Sequence, residues 1–301
     1  MNDKYLVLMI NKSYFFKYVS DKNVYKIYTD NNKFEIYLRK FFSRVFQPIL
    51  PFFYGKWKQK ISSVDTIIIF DNGYRKVLTK FIKKINPKIK IIFYFWNILN
   101  KKNKEVLKDK NIDEIWTFDK GDSQKYNFNY FPQFYDFKIV EMYSGNDLIK
   151  NDVFFIGAVK DRKNILNNIK RMLFDCDNKL KLKIETLSKS KYTYEEYLTC
   201  MIQSKVLLDV IGKKQTGLTL RTLESQFFEK KLITNNKDII NYDFYNEENI
   251  FIVGIHNESR LKEFIDLPFK NNDNNKILEK YSYDNFIKTI LEKKDKEIIY
   301  D

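Results

Sequence analysis

Histidine occurs once in this 301-residue chain, as His256. That leaves no histidine-based metal site and no Ser-His-Asp arrangement relying on a second imidazole. His256 follows a strand pattern with no marked partner, and a structural role is expected for it. Cysteine occurs twice, at Cys176 and Cys200. Two are too few for a disulfide framework or a metal cluster, and both fall in helical patterns as core thiols. No apolar run approaches the roughly 20 residues of a membrane span. The opening MNDKYLVLMINKSYFF has too short an apolar run for a signal peptide and no small-residue cleavage site, so it reads as a first strand in a cytoplasmic chain. Glycine is scarce, at 8 residues, while Lys, Asn, Ile, Tyr and Phe abound, the bias of an AT-rich genome.

Acidic residues are outnumbered 39 to 54 by Lys and Arg, giving a formal charge of +15. Such an excess invites a nucleic acid or an anionic membrane as partner. The compositional bias accounts for part of it, and the charge by itself names no partner. A basic RNA- or DNA-binding protein would carry exposed stacking aromatics. Here most aromatics fall in buried strand and helix patterns, so no nucleic-acid partner is expected. Hydrophobic residues make up 44% of the chain, enough for a sizeable core and too many for disorder. The length fits one large or two ordinary domains.

Strand and helix patterns alternate along most of the chain. Strands are expected at Tyr5–Ile10, Thr66–Phe70, Lys90–Phe95 and Glu114–Phe118, with helices at Tyr74–Ile85 and Lys101–Asp109. The strand ends carry Asp71, Asn97 and Asp119, which a parallel sheet places at one edge. Residues 22–37 show no clear pattern. Leu38–Ile61 interleaves Arg39, Lys40, Arg44, Lys56 and Lys58 with Phe41, Phe42, Phe46, Phe52, Phe53 and Trp57. It fits either a core-facing helix pair broken at Pro48 and Pro51, or a segment lying on an anionic membrane.

A polar stretch, Tyr135–Asn151, reads as a linker. The alternation then restarts with a strand at Val153–Ala158, a loop at 159–164 and a helix carrying Ile165, Leu166, Ile169, Met172 and Leu173. Leu180–Leu187, Val206–Ile211, Leu232–Thr234 and Asn249–Val253 follow as strands. Tyr194–Gln203, Ser259–Phe264 and Ile277–Ile299 follow as helices. The fold class is therefore α/β, with two doubly wound, Rossmann-like domains in series: 1–145, 151–275 and a helical segment at 276–301.

The stretch Val206–Asn236 is the focus. A buried strand runs into a loop bounded by Gly212 and Gly217, Thr219 stands where a helix N-cap belongs, and Leu220, Leu223, Phe227 and Phe228 recur at helical spacing. The helix start suits a phosphate, Arg221 one turn in suits a diphosphate, and Glu224 suits ribose hydroxyls. In the first loop of the same domain, Gly157 allows close approach of a ligand, and Lys160 and Arg162 add cations. A generic βαβ unit with a solvated basic loop is the plain alternative. The Gly212–Gly217 spacing matches a Walker A loop, but Leu218-Thr219 replaces the required Lys-Ser/Thr. Asp175-Cys176-Asp177 has the D-x-D form of a metal-binding transferase, yet it follows a helical run and reads as a helix-terminating turn.

GLTLRTLESQFFEKKLITNN, Gly217–Asn236, resembles the donor-site region of GT-B fold glycosyltransferases of bacterial lipopolysaccharide and capsule synthesis. In that group a Gln-x-Gly-Leu-Thr-x-Arg-x-x-Glu pattern recurs, here Gln215–Glu224. FFIGAVKDRKNIL, Phe154–Leu166, is similar to the start of their donor domain. IIFYFWNILN and EIWTFDKGDSQKYNFNYFPQFY look like their N-terminal domain; NYDFYNEENIFIV and EKYSYDNFIKTIL look like their C-terminal portion. The resemblance covers most of the chain from about Val64 onward.

The resemblance implies two domains facing a cleft, with the C-terminal helix returning to the N-terminal domain. It implies transfer of a sugar from a nucleotide-sugar donor, UDP-linked by expectation, with no bound metal or other cofactor. The acceptor would be a lipopolysaccharide, capsule or other glycan, or a lipid-linked saccharide. That would place the protein at the inner face of the cytoplasmic membrane, touching it through 38–61. Glu224 would hold the donor ribose, while Gln215, Thr216, Gly217, Leu218 and Thr219, with Arg221, would face the diphosphate. Many retaining members carry Glu-x7-Glu here, whereas this chain has Thr216 at the first position, which favours inversion. An inverting transfer needs a general base, and Asp71 and then Asp119 are the candidates. Each also fits as a cap of the turn that follows it. A sugar-nucleotide epimerase or hydrolase on the same architecture is the competing enzyme class.

Overall fold

The computed structural model describes residues 4–10, 14–29, 32–71, 74–101, 103–143, 145, 148–158, 162–186, 192–212, 215–271 and 275–292. Among them the chain divides into two compact units, the first ending at Phe131 and the second starting at Pro132.

The first unit is built on strands β1 (Tyr5–Met9), β2 (Val24–Lys26), β3 (Thr66–Phe70), β4 (Lys90–Phe95), β5 (Glu114–Thr117) and β6 (Asn129–Tyr130). All pair parallel, in the order β2-β1-β3-β4-β5-β6. Runs such as TIIIF and KIIFYF suit strands covered on both faces, and Ile67, Ile68, Ile69 and Ile91 to Phe95 are fully buried. Helices α1 (Lys33–Val45), α2 (Lys76–Ile85) and α3 (Lys120–Tyr126) belong to this unit. Lys101–Asp109, expected as a helix, is reduced to a short 3-10 turn at Lys104–Lys108.

The basic aromatic segment 38–61 is core in part only. Its later part is core: Leu50, Tyr54, Trp57 and Ile61 are buried, and Trp57 Nε1 donates to the Ile27 carbonyl at 2.9 Å. Its earlier part lies in α1, which buries no residue at all.

The second unit opens with α4 (Phe137–Tyr143), inside the stretch expected as linker. Strands β7 (Asn151–Gly157), β8 (Leu182–Thr186), β9 (Ser204–Asp209), β10 (Lys231–Thr234) and β11 (Ile250–Ile252) form its sheet. The order is β11-β10-β9-β7-β8, again all parallel. Helices α5 (Lys163–Cys176), α6 (Tyr194–Ile202), α7 (Leu220–Phe227), α8 (Leu261–Asp266), α9 (Asn275–Glu279) and α10 (Tyr283–Glu292) complete it. Asp177 caps the end of α5, as the D-x-D reading anticipated. The last helix was expected to return to the first domain. Its Phe286 stacks on Phe134 at 3.9 Å, and Ser282 bridges Tyr135; both partners lie within the 1–145 expected for that domain and in the segment that opens the second compact unit.

Counted within each unit, both sheets share the strand order 2-1-3-4-5, which the first extends with a sixth strand. The order reverses between β1 and β3 in the first and between β7 and β9 in the second. Such a reversal leaves a crevice beyond the carboxyl ends of the two central strands, where open α/β sheets bind ligands. No helix among the described residues is long and apolar enough to cross a membrane.

Candidate functional site

The β7/β9 reversal is where the candidate residues of the second unit gather. Thr219 is the N-cap of α7: its backbone is extended and its Oγ1 accepts from the Thr222 amide at 3.2 Å. The first helical amides, of Leu220 and Arg221, have no carbonyl one turn back within the helix. From Thr222 to Phe227 every residue of α7 is buried, the polar Thr222, Glu224, Ser225 and Gln226 included. Burying so many polar groups is costly unless they are bonded, and the bonds are specific.

Arg221 spends its guanidinium inward. Nη2 donates to the Ile156 carbonyl at 2.7 Å, Nε faces the Tyr197 hydroxyl at 3.4 Å, and Nη1 lies 3.9 Å from Asp209 Oδ1. The group also stands over the Phe155 ring at 4.6 Å. Asp209, the last residue of β9, is 1% exposed. Burial pushes its carboxyl up, while Arg221, Thr219, Arg162 and Thr222 pull the other way. Glu224 accepts from Tyr197 at 2.7 Å and from Tyr194 at 2.8 Å, and Tyr194 in turn meets the Tyr135 hydroxyl at 2.7 Å. Burial raises Glu224 to about 7 against the hydrogen bonds of the two tyrosines and the charge of Arg221. Burial, and then the Glu224 charge, also raise all three tyrosines, which therefore stay protonated as donors.

The structure thus brings Gly157, Arg162, Thr219, Arg221 and Glu224 to one sheet edge. It gives three of them protein partners where ligand contacts were expected. Glu224 is buried and Arg221 half-buried, and both brace neighbouring elements. Arg162 donates to the carbonyls of Val210 and, at 2.7 Å, of Ala158, tying the end of β7 to the chain leaving β9. Gly157 lies beside Arg221, whose Nη2 would be 3.4 Å from an added Cβ. Gln215 and Thr216 are half-buried on the loop, Gly217 is buried, and Leu218 is core. Lys160 lies outside the described residues.

In the first unit, Asp71 follows β3 at the β1/β3 reversal. The Asn97 amide and side chain both donate to its Oδ2, at 3.1 and 3.0 Å. Asp119 is 2% exposed and caps α3, its Oδ1 accepting from the Asp122 amide at 3.0 Å. His256 is held by the Tyr245 hydroxyl at 3.0 Å and the Ile252 amide at 3.2 Å, a structural setting.

Asp209, Tyr194, Tyr197 and Tyr135 were not anticipated. The signal for Asp209 was a carboxylate inside the apolar run Val206–Ile211. For Tyr194 and Tyr197 it was two phenols one turn apart on a helix opened by a Thr193–Glu196 capping box.

No family model and no curated protein matches the chain. Solved structures of similar architecture include a glycosyltransferase from Rickettsia africae, at 11% identity over 95% of this chain and 88% of that one, with a TM-score of 0.45. Another is Anabaena Alr3699/HepE in complex with UDP and glucose, at 9% identity over 95% and 90%, with a TM-score of 0.49. A third is an alpha-glucosyltransferase bound to UDP and DNA, at 12% identity over 77% and 75%, with a TM-score of 0.43.

Proposed function

We propose that this protein is an inverting glycosyltransferase that takes a sugar from a nucleotide diphosphate donor, with UDP-hexose the first to test. The acceptor proposed is a lipopolysaccharide, capsule or lipid-linked saccharide at the inner face of the cytoplasmic membrane. One observation carries the reading. The segment Gln215–Glu224, which resembles a donor-site pattern, starts its helix at the strand reversal of the second sheet, with Gly157, Arg162 and Arg221 at the same edge. Amides at a helix start and fixed cations there suit the charge that builds on a departing diphosphate.

In this scheme the acceptor hydroxyl attacks the anomeric carbon, a carboxylate takes its proton, and the nucleotide diphosphate leaves with the bonding electrons. Asp71 is the proposed base ahead of Asp119, whose Oδ1 already caps α3. Gln215, Thr216 and Thr219 on the loop are proposed to meet the donor. Arg221 and Glu224 act from beneath, fixing that loop against β7 and α6.

The test is a thermal-shift panel of UDP, GDP, CMP and CDP with their sugar conjugates. A ligand at about 100 times its Kd adds roughly 2.7 kcal/mol, a rise of about 4 °C for a chain of this size. No shift with any nucleotide would overturn the donor site. Release of nucleotide diphosphate at full rate without acceptor would instead favour the epimerase or hydrolase class.

A further inference from the structure

We infer that α1 and the turn after it form a docking surface for an anionic lipid bilayer. A helix that packs on a core turns its apolar stripe inward. In α1 the stripe faces out: Phe34, Tyr37, Phe41 and Val45, at i, i+3, i+7 and i+11, are 68%, 67%, 48% and 66% exposed. Phe46 and Phe52, 55% and 83% exposed, continue the apolar surface beyond the helix end. Lys33, Lys40 and Arg44 are exposed as well, and helical spacing sets them in a row along one side of the stripe. Four cations on this helix (Lys33, Arg39, Lys40, Arg44) face a single carboxylate, Glu35. The helix is held from below by Arg39 over the Tyr28 ring at 4.2 Å and by Phe42 beside Phe53 at 6.5 Å.

This chemistry selects its occupant. Thirteen residues make a rod about 20 Å long, suited to lying flat in an interface with rings among the acyl chains and cations on phosphates. A second copy would set one basic row against another, which opposes self-association. A nucleic acid would satisfy the cations and leave Val45 and the Phe stripe without an apolar phase. The surface is also narrower than the 38–61 segment suggested, because Leu50, Tyr54, Trp57 and Ile61 are core.

Sedimentation of the full chain with phosphatidylcholine vesicles, with and without phosphatidylglycerol, tests this. Binding is expected only where phosphatidylglycerol is present, and to weaken as salt rises. The triple change Phe34→Ser, Phe41→Ser, Phe52→Ser should weaken binding on the order of tenfold or more. Lys33→Gln, Lys40→Gln, Arg44→Gln should remove the lipid preference. All six side chains are exposed, so both variants should melt with the wild type. As a measurement that keeps the wild-type surface chemistry, Phe41→Trp should shift its emission to the blue on anionic vesicles. No binding to anionic vesicles, or equal binding by the Phe variant, would overturn the inference. So would a dimer or an oligonucleotide complex lost in that variant without vesicle binding. No donor or acceptor is present in these experiments, so their failure is distinct from failure of the transfer chemistry.

Discussion

The Glu224 carboxylate lies 2.7 Å from the Tyr197 hydroxyl, inside a helix face with no access to solvent. Burial holds its pKa at about 7, against 4.5 for the free side chain. Below pH 4.5 the carboxyl is protonated in both the folded and the unfolded chain and makes no difference to stability. Between 4.5 and 7 the unfolded chain gives up its proton first, so stability falls as pH rises and the loss is complete above 7. The size is on the order of 3 kcal/mol. Glu224→Gln removes this titration. Urea unfolding of wild type and variant from pH 4.5 to 8 should give free energies whose difference drifts in the variant's favour as pH rises. Parallel curves would show that Glu224 titrates as an ordinary carboxyl.

Arg221 and Asp209 should be strongly coupled. Removing the guanidinium by Arg221→Met strips the Ile156 carbonyl of this donor and takes one guanidinium charge from the buried Asp209, which keeps the Thr222 hydroxyl and the charge of Arg162, at a cost of about 1–3 kcal/mol. Asp209→Asn in the same chain removes the charge that Arg221 faced, so the double variant should lose less than the sum of the two singles, by about 1 kcal/mol. Chemical denaturation of the four proteins closes the cycle. Additive losses would mean that the 3.9 Å separation carries no interaction.

Asp71 is set up differently, because Asn97 grips one carboxylate oxygen through two donors. Asp71→Asn should lower kcat by about 10²–10⁴ and leave melting within a degree or so, as expected of a lost general base at a strand end. Asn97→Ala should give a smaller fall, because it loosens the base and leaves it in place. Steady-state turnover with the donor found by thermal shift reads both. Unchanged kcat in Asp71→Asn moves the base elsewhere.

The sheets were legible because TIIIF, KIIFYF and VFFIGA can only be strands covered on both faces, and these became β3, β4 and β7. The two shortest strands were not. Val24–Lys26 and Asn129–Tyr130 have no pattern of their own and exist because β1 and β5 offer them an edge. Periodicity also could not say which way α1 faces, since a stripe has the same spacing against a core or against solvent. At the site, Thr219, Arg221 and Glu224 were found by motif. What they touch was not, because Tyr197, Tyr194 and Ile156 lie 27, 30 and 65 residues from their partners in α7. Partners set by tertiary packing leave no local trace.

The far end of α7 gives a prediction of opposite sign. Phe228 caps the helix, Glu229 follows with φ of +51°, and the Lys230 amide returns to the Ser225 carbonyl at 2.8 Å. This is the arrangement in which glycine is usual, because a side chain crowds the backbone in the left-handed region. In a chain with 8 glycines, a glutamate occupies the position. Among the described residues its carboxylate holds an exposed bond from Asn271 Nδ2 at 3.2 Å, worth little in water. Glu229→Gly relieves the crowding and lets the unfolded chain gain some freedom, and the first effect is the larger at this φ. The net gain should be about 0.5–1 kcal/mol, seen as a rise in the urea midpoint at unchanged slope. Because α7 also carries Arg221 and Glu224, donor binding should be kept. A lower midpoint would mean that the Asn271 contact outweighs the backbone strain.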